Sequence, residues 1–342
     1  MNRSRILGDS WYAREIGAEE LEGVARGRLW ERLLASGPGR GIALWWWGRR
    51  YPVIVCTLAG SGTRTLLALE RVLGRRGRHL VLLEFIPVLG RKQRASWGRS
   101  SPQRRLAGEL YWKYVAVPVL RRCLLGAHSL TRWERDRNAQ SLQIDVERFH
   151  FIPFFGSGTA SDEKLGRGRG VLASGRAACD WETVFSAAAG QHWALTAICS
   201  REELPRVQAL NKTVGATLLC DVSREEHQAH VEAAAIYLLA LREAEVSSGH
   251  VRLADAERAG TAVAASLVRG LEDYVEPERD VIAFTPEAPL AARAAVARLL
   301  ADDSLRQQVA SGARDRGRRW TRDLYLQEIA RLVEDLLTRV EA

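Results

Sequence analysis

No stretch of this sequence reaches the roughly 18 consecutive apolar residues needed to span a bilayer, and its opening, MNRSRILGDSWYAREIG, lacks the unbroken apolar core of a signal peptide. The chain is therefore expected in the cytoplasm, with peripheral contact at the inner face of the membrane left open. It has no Cys-x-x-Cys pair, and its seven histidines show no metal-ligand spacing, so structural zinc is not expected. The five cysteines (Cys56, Cys123, Cys179, Cys199 and Cys220) are odd in number, far apart and mostly set in apolar runs, as buried thiols of a reducing compartment are. Also missing are a Walker Gly-Lys-Ser/Thr, a complete dinucleotide fingerprint, a short-period repeat and any low-complexity tract.

What is present suits a globular protein of two domains. A chain of 342 residues is too long for one ordinary core, and 46% hydrophobic with 27% charged residues leaves no case for disorder. The net charge of +9 is unevenly spread. Through Phe155 there are 27 Lys and Arg against 13 Asp and Glu, whereas the remainder has 23 against 28. Eight of the eleven tryptophans also lie in the first part, three of them consecutive at Trp45, Trp46 and Trp47. A basic, Trp-rich half beside a mildly acidic half implies two domains with different tasks.

Val53 to Leu58 reads as a buried strand, Ala59-Gly60-Ser61-Gly62 as a turn into a helix reaching Leu73, and Leu80 to Ile86 as the next strand. Strand, helix and strand at this spacing make a βαβ unit and hence a parallel sheet. Between Glu84 and Glu109 the chain carries Arg91, Lys92, Arg94, Arg99, Arg104 and Arg105 with no acid, the pattern of an exposed basic loop. Past the Gly- and Ser-rich stretch 156–170, strands are expected at 171–174, 193–199, 216–220, 234–240, 262–265 and 281–284, separated by helices. The expected organisation is a first domain at 1–155, a linker at 156–170, a second domain at 171–318 and a final helix at 319–342.

Chemistry gathers between Ser247 and Tyr274, where a Ser-Ser-Gly turn opens a helix that bears Asp255 and ends near Gly260, just before an apolar strand. Free amides at a helix start hold phosphate, and an acid one or two turns later can accept from a ribose hydroxyl. A second spot is Ser174-Gly175-Arg176 at the end of an expected strand: glycine allows close backbone approach, and arginine pairs in bidentate fashion with phosphate. Gly60, Ser61, Gly62 and Thr63 form another strand-to-helix turn whose amides could face a ligand, although a plain structural turn reads the same residues as well. For Glu257, a solvated helix face is the reading; for His128, a packed or surface histidine.

These segments resemble the donor-binding half of family 4 glycosyltransferases, in particular a subgroup carrying Ser-x-Gly-Gln. Ser247-Ser248-Gly249-His250 matches that motif with His for Gln, and Asp255 stands where the family has a ribose-binding Glu. Where the family places a Lys five residues after the Arg, this chain has Trp181. The resemblance implies a GT-B fold: two Rossmann-like α/β domains with parallel sheets facing across a cleft and a C-terminal helix crossing back. It further implies a retaining, metal-independent hexosyl or related glycosyltransferase with no cofactor, using a nucleoside diphosphate sugar, UDP-linked above all, as co-substrate. Arg176 would be the catalytic cation; Gly175, Arg176, Val222, Ser247, Ser248, Gly249, His250 and Asp255 would hold the donor. The acceptor would be a small molecule, lipid or glycan. The motif departures keep open a catalytically inactive GT-B-like binding or partner protein. The basic first half keeps open nucleic-acid binding, and Trp45 to Trp47 fit core packing, a membrane or apolar acceptor, or nucleic acid.

Overall fold

The computed structural model describes residues 5–74, 77–87, 102–156, 165–176 and 178–341. The chain divides into two compact units, one formed by Met1–Ile152 with Tyr325–Ala342 and the other by Pro153–Leu324. The long final helix, Arg322–Glu341, therefore packs for most of its length with the first unit.

Unit 1 holds a parallel sheet of β1 (Ile6–Asp9), β2 (Glu19–Glu20), β3 (Val53–Thr57), β4 (Leu80–Leu83), β5 (Leu124–Ser129) and β6 (Phe149–Phe151), in the order β2-β1-β3-β4-β5-β6. Unit 2 repeats the design with β7 (Val171–Gly175), β8 (Leu195–Cys199), β9 (Thr217–Cys220), β10 (Ile236–Leu239), β11 (Ala262–Ser266) and β12 (Ile282–Phe284), in the order β12-β11-β10-β7-β8-β9. Helices cover both faces of parallel sheets, so central strands are buried on each side and read as unbroken apolar runs. VIVC of β3, LVLL of β4, IYLL of β10 and AVAAS of β11 are buried at every position.

The expected strand at 80–86 stops at Leu83, because Glu84 takes a left-handed backbone (φ 48°) that breaks the ladder. Strand β1 lies outside the expected set. Of the 156–170 linker, 157–164 lie outside the described residues; the described part lies on unit 2, with Gly166 N–H donating to Gly260 O and Arg169 N–H to Ala233 O. Of the basic stretch, Arg91, Lys92, Arg94 and Arg99 lie outside the described residues, as do the side chains of Arg104 and Arg105.

Trp45, Trp46 and Trp47 lie on the helix Gly37–Gly48, which Ser36 caps by accepting from Gly39 N–H. Successive helix positions point about 100° apart, so the three indoles divide. Trp45 and Trp47 pack against the unit 1 core, while Trp46 is 49% exposed. Arg49 and Arg50 lie over the Trp45 and Trp47 rings at 4.9 and 4.4 Å.

Candidate nucleotide-binding site

In an open parallel sheet, ligands bind beyond the carboxyl ends of the strands where the winding direction reverses, because the two following loops diverge there and leave a crevice. In unit 2 that reversal falls between β7 and β10. The loop after β7 begins at Gly175, and the loop after β10 leads into the helix His250–Arg258. Two segments about 70 residues apart in the sequence are thereby placed side by side. They are tied together as well: Asp180 N–H donates to Ala240 O, and Arg242 N–H donates to Ala178 O, both at 3.0 Å.

Gly249 is the N-cap of the helix, in a left-handed conformation (φ 95°) with no side chain to occupy the first amides. An alanine Cβ there would lie 2.6 Å from Leu241 Cδ1. Ser248 is half-buried and Ser247 buried beside it. His250 opens the helix but turns its ring inward: Nε2 pairs with Gly270 O at 2.8 Å, and the ring lies 4.3 Å from that of Tyr274. Burial lowers its pKa to about 4. Its imidazole fixes where the helix starts, and what it offers a ligand is its backbone N–H.

Asp255, one turn further on, is buried near His227 and Tyr237; its charge partly offsets the lowering of the His227 pKa by burial and adds to the raising of the Tyr237 pKa by burial. Those two residues meet at Ser174, whose Oγ lies 2.7 Å from His227 Nε2 and 2.5 Å from the Tyr237 hydroxyl. Burial holds the His227 imidazole below its usual pKa and pushes the Tyr237 phenol up to about 12, so both are neutral at pH 7.

Gly175 has φ 155°. A Cβ there would fall 2.0 Å from Arg252 Nη1 and 2.3 Å from Cys179 Sγ. Arg252, on the first turn of the helix, donates through Nη1 to Ser174 O at 2.6 Å and contacts Cys179 Sγ at 3.1 Å. Sequence reasoning missed it: an Arg three residues past a glycine carries no signal until β7 and β10 are known to be neighbours. Arg176 points elsewhere, its side chain 72% exposed and 3.6 Å from Asp221. Val222 follows Asp221 at the carboxyl end of β9 and is half-buried.

Glu257 corrects the expectation of a solvated face. The helix packs against Asp303–Gly317 on that side, and both Glu257 carboxylate oxygens are buried without a hydrogen-bond partner among the described residues. Desolvation, aided by the Asp280 charge and opposed by Arg316, raises its pKa well above the usual carboxylate value. A raised folded-state pKa gives stability that is complete below the unfolded value of about 4.3 and is lost as pH climbs through the folded one. Glu257→Leu is accordingly expected to stabilise unit 2 at pH 8 by on the order of 1–3 kcal/mol. That gain should vanish at pH 4, and melting curves at the two pH values check it.

Unit 1 reverses its winding between β1 and β3. Gly60 to Thr63 lie there as a packed turn: Thr63 Oγ1 donates to Thr57 O at 2.6 Å, and Gly41 admits Gly62 O where a Cβ would stand 2.4 Å from it. Ser61 is the exposed residue of the turn. At the carboxyl ends of β4 and β5, Glu84 accepts from Trp11 Nε1 at 3.3 Å, and burial raises its pKa. His128 is fully buried, with Nε2 on Ile152 O at 2.8 Å and Nδ1 accepting from Glu84 N–H at 3.2 Å. It is a packed histidine with its pKa lowered by burial to about 4.

Among the described residues, Glu70, His79 and Cys123 are the one group of His, Cys and acidic side chains close enough to share an ion, within 4.8 Å of one another. The Arg122 guanidinium donates to Cys123 Sγ at 3.3 Å and to Glu70 O. A fixed cation there repels a divalent ion.

No family model and no curated protein matches the chain. Solved structures do. Anabaena Alr3699/HepE in complex with UDP is 14% identical with a TM-score of 0.66 over 96% of this chain and 99% of that one. Sucrose-phosphate synthase from Thermosynechococcus elongatus is 17% identical, TM-score 0.66, over 92% and 80%. A glycosyltransferase from Rickettsia africae ESF-5 is 9% identical, TM-score 0.64, over 97% and 90%. The likeness shows the fold, the two-unit GT-B arrangement of parallel α/β sheets.

Proposed function

We propose that this protein is a glycosyltransferase whose second unit binds a nucleoside diphosphate sugar. The carrying observation is that Gly175, Ser247 to Gly249, Arg252 and Asp255, drawn from distant segments, gather where β7 and β10 diverge. Neighbours with this fold were solved in complex with UDP and UDP-glucose, which favours a UDP-linked donor. In this reading the amides after Gly249 face the diphosphate, Asp255 orients the ribose, and the base lies near Val222. The resemblance to family 4 supports retention of anomeric configuration and a diphosphate neutralised by fixed cations and amides instead of a divalent metal. Such groups stabilise the leaving charge without having to reorganise.

Asp255→Ala is expected to weaken UDP binding about tenfold, the size of a lost hydrogen bond to a charged group. Calorimetric titration reads this. Release of UDP from UDP-glucose, with and without lipid or glycan acceptors, separates a transferase from an inactive binding protein of the same fold. Binding without release in every case would leave the donor site and remove the catalytic reading.

The acceptor side is proposed to be apolar or membrane-bound. Ile42 and Trp46, one helical turn apart, are 39% and 49% exposed and are followed by Arg49 and Arg50. No helix among the described residues is long and apolar enough to cross a membrane, so contact by these residues would be at the surface. Ile42→Ser combined with Trp46→Ser is expected to lower co-sedimentation with anionic vesicles several-fold. Equal sedimentation of parent and variant would remove the contact.

A further inference from the structure

We propose that Arg252, and not Arg176, is the cation that grips the donor diphosphate; the assignment rests on the donor-site reading above and deepens it. A diphosphate without a metal needs positive charge fixed at the strand ends. The position at which the resemblance calls for Lys holds Trp181, which is 1% exposed in the unit 2 core and carries no charge. Arg176 is turned to solvent beside Asp221, which Arg201 also approaches at 3.6 Å. An exposed, acid-paired arginine is a poor preorganised donor, since ordering its side chain costs entropy and its acidic partner opposes transfer to a phosphate.

Arg252 meets each requirement. It lies on the first turn of the helix capped by Gly249, where the positive end of the helix already favours an anion. Its bonds through Nη1 to Ser174 O and Cys179 Sγ fix the plane of a guanidinium that carries five donors. The guanidinium is seated over Gly175, in the space that any Cβ there would fill. The glycine at the strand end therefore serves two purposes, close backbone approach and a seat for the cation. Ser174, held by His227 and Tyr237, keeps the carbonyl to which Arg252 is tied in place.

The test is calorimetric titration of the full chain with UDP, ADP and GDP, each beside its nucleoside, for the parent, Arg252→Gln, Arg252→Lys and Arg176→Ala. Arg252→Gln should weaken the diphosphate about tenfold to a hundredfold and leave the nucleoside within about twofold. Arg252→Lys should fall between, because it keeps the charge and loses the fork; Arg176→Ala should cost less than either. If Arg252→Gln does not fold, as judged by its melting curve, the Lys variant decides by the same diphosphate-to-nucleoside comparison. A parent that binds a diphosphate while the Arg252 variants bind it equally well overturns this assignment alone, as does a parallel loss of nucleoside affinity. A parent that binds none of the three diphosphates overturns the donor-site reading, and this assignment with it.

Discussion

Gly175→Ala is expected to lower nucleoside diphosphate affinity by about ten- to a hundredfold, the range of a lost charge-assisted contact, through two separable effects. The new methyl would stand 2.0 Å from Arg252 Nη1 and 2.3 Å from Cys179 Sγ, so the guanidinium must leave its seat. The backbone at φ 155° is also one that L side chains rarely adopt, at a cost of roughly 1–3 kcal/mol. Gly190→Ala isolates the second effect: its φ is 71°, and nothing lies within 4 Å of where its Cβ would be. Both variants should lose stability, and only Gly175→Ala should lose UDP. Equal UDP affinity in the two would remove Gly175 and its neighbour from the site.

The second large effect is loss of stability in acid. His128 and His250 are buried, one in each unit, and both have pKa values lowered to about 4. The unfolded chain takes up protons on these imidazoles near pH 6.5, where the folded chain does not. A depressed pKa therefore contributes stability that is complete above about 6.5 and is lost as pH falls through the folded value. Over that interval each histidine removes about 3 kcal/mol, a large share of the 5–15 kcal/mol typical of a domain. The chemistry at His128 is specific. Its Nδ1 accepts from Glu84 N–H while Nε2 faces Ile152 O, so a second ring proton would meet a donor. Urea titrations of His128→Gln, His250→Gln and the double variant at pH 7 and 4.5 check this. The double variant should show the shallowest acid limb, and an unchanged limb would mean that other groups carry the acid sensitivity.

Much of the architecture was legible because parallel strands buried on both faces leave uninterrupted apolar runs. Val53 to Thr57, Ile236 to Leu239 and Ala262 to Ser266 announce themselves in this way. Strand β1 did not, since four residues between polar neighbours are too few to show a period, and β2 has only two. Glu84 was read into a strand because its left-handed backbone leaves no mark on the sequence. In the candidate site, Gly175, Gly249 and Asp255 were visible through their order along the chain. Arg252 was not, because its partners Ser174 and Cys179 come from a segment more than 70 positions away and meet it only through the crossover from β9 to β10. Glu257 was misread for a related reason: a carboxylate on a short helix reads as solvated until a second helix is known to cover it.

The central claim, that a nucleotide diphosphate is held where β7 and β10 diverge, is tested most directly by hydrogen–deuterium exchange with and without saturating UDP. The account predicts slowed exchange at the amides after Gly249, through Arg252, and in the loop after Gly175, with the Gly60 to Thr63 turn of unit 1 unchanged. Protection confined to that unit 1 turn, or none in either unit 2 loop, would contradict it.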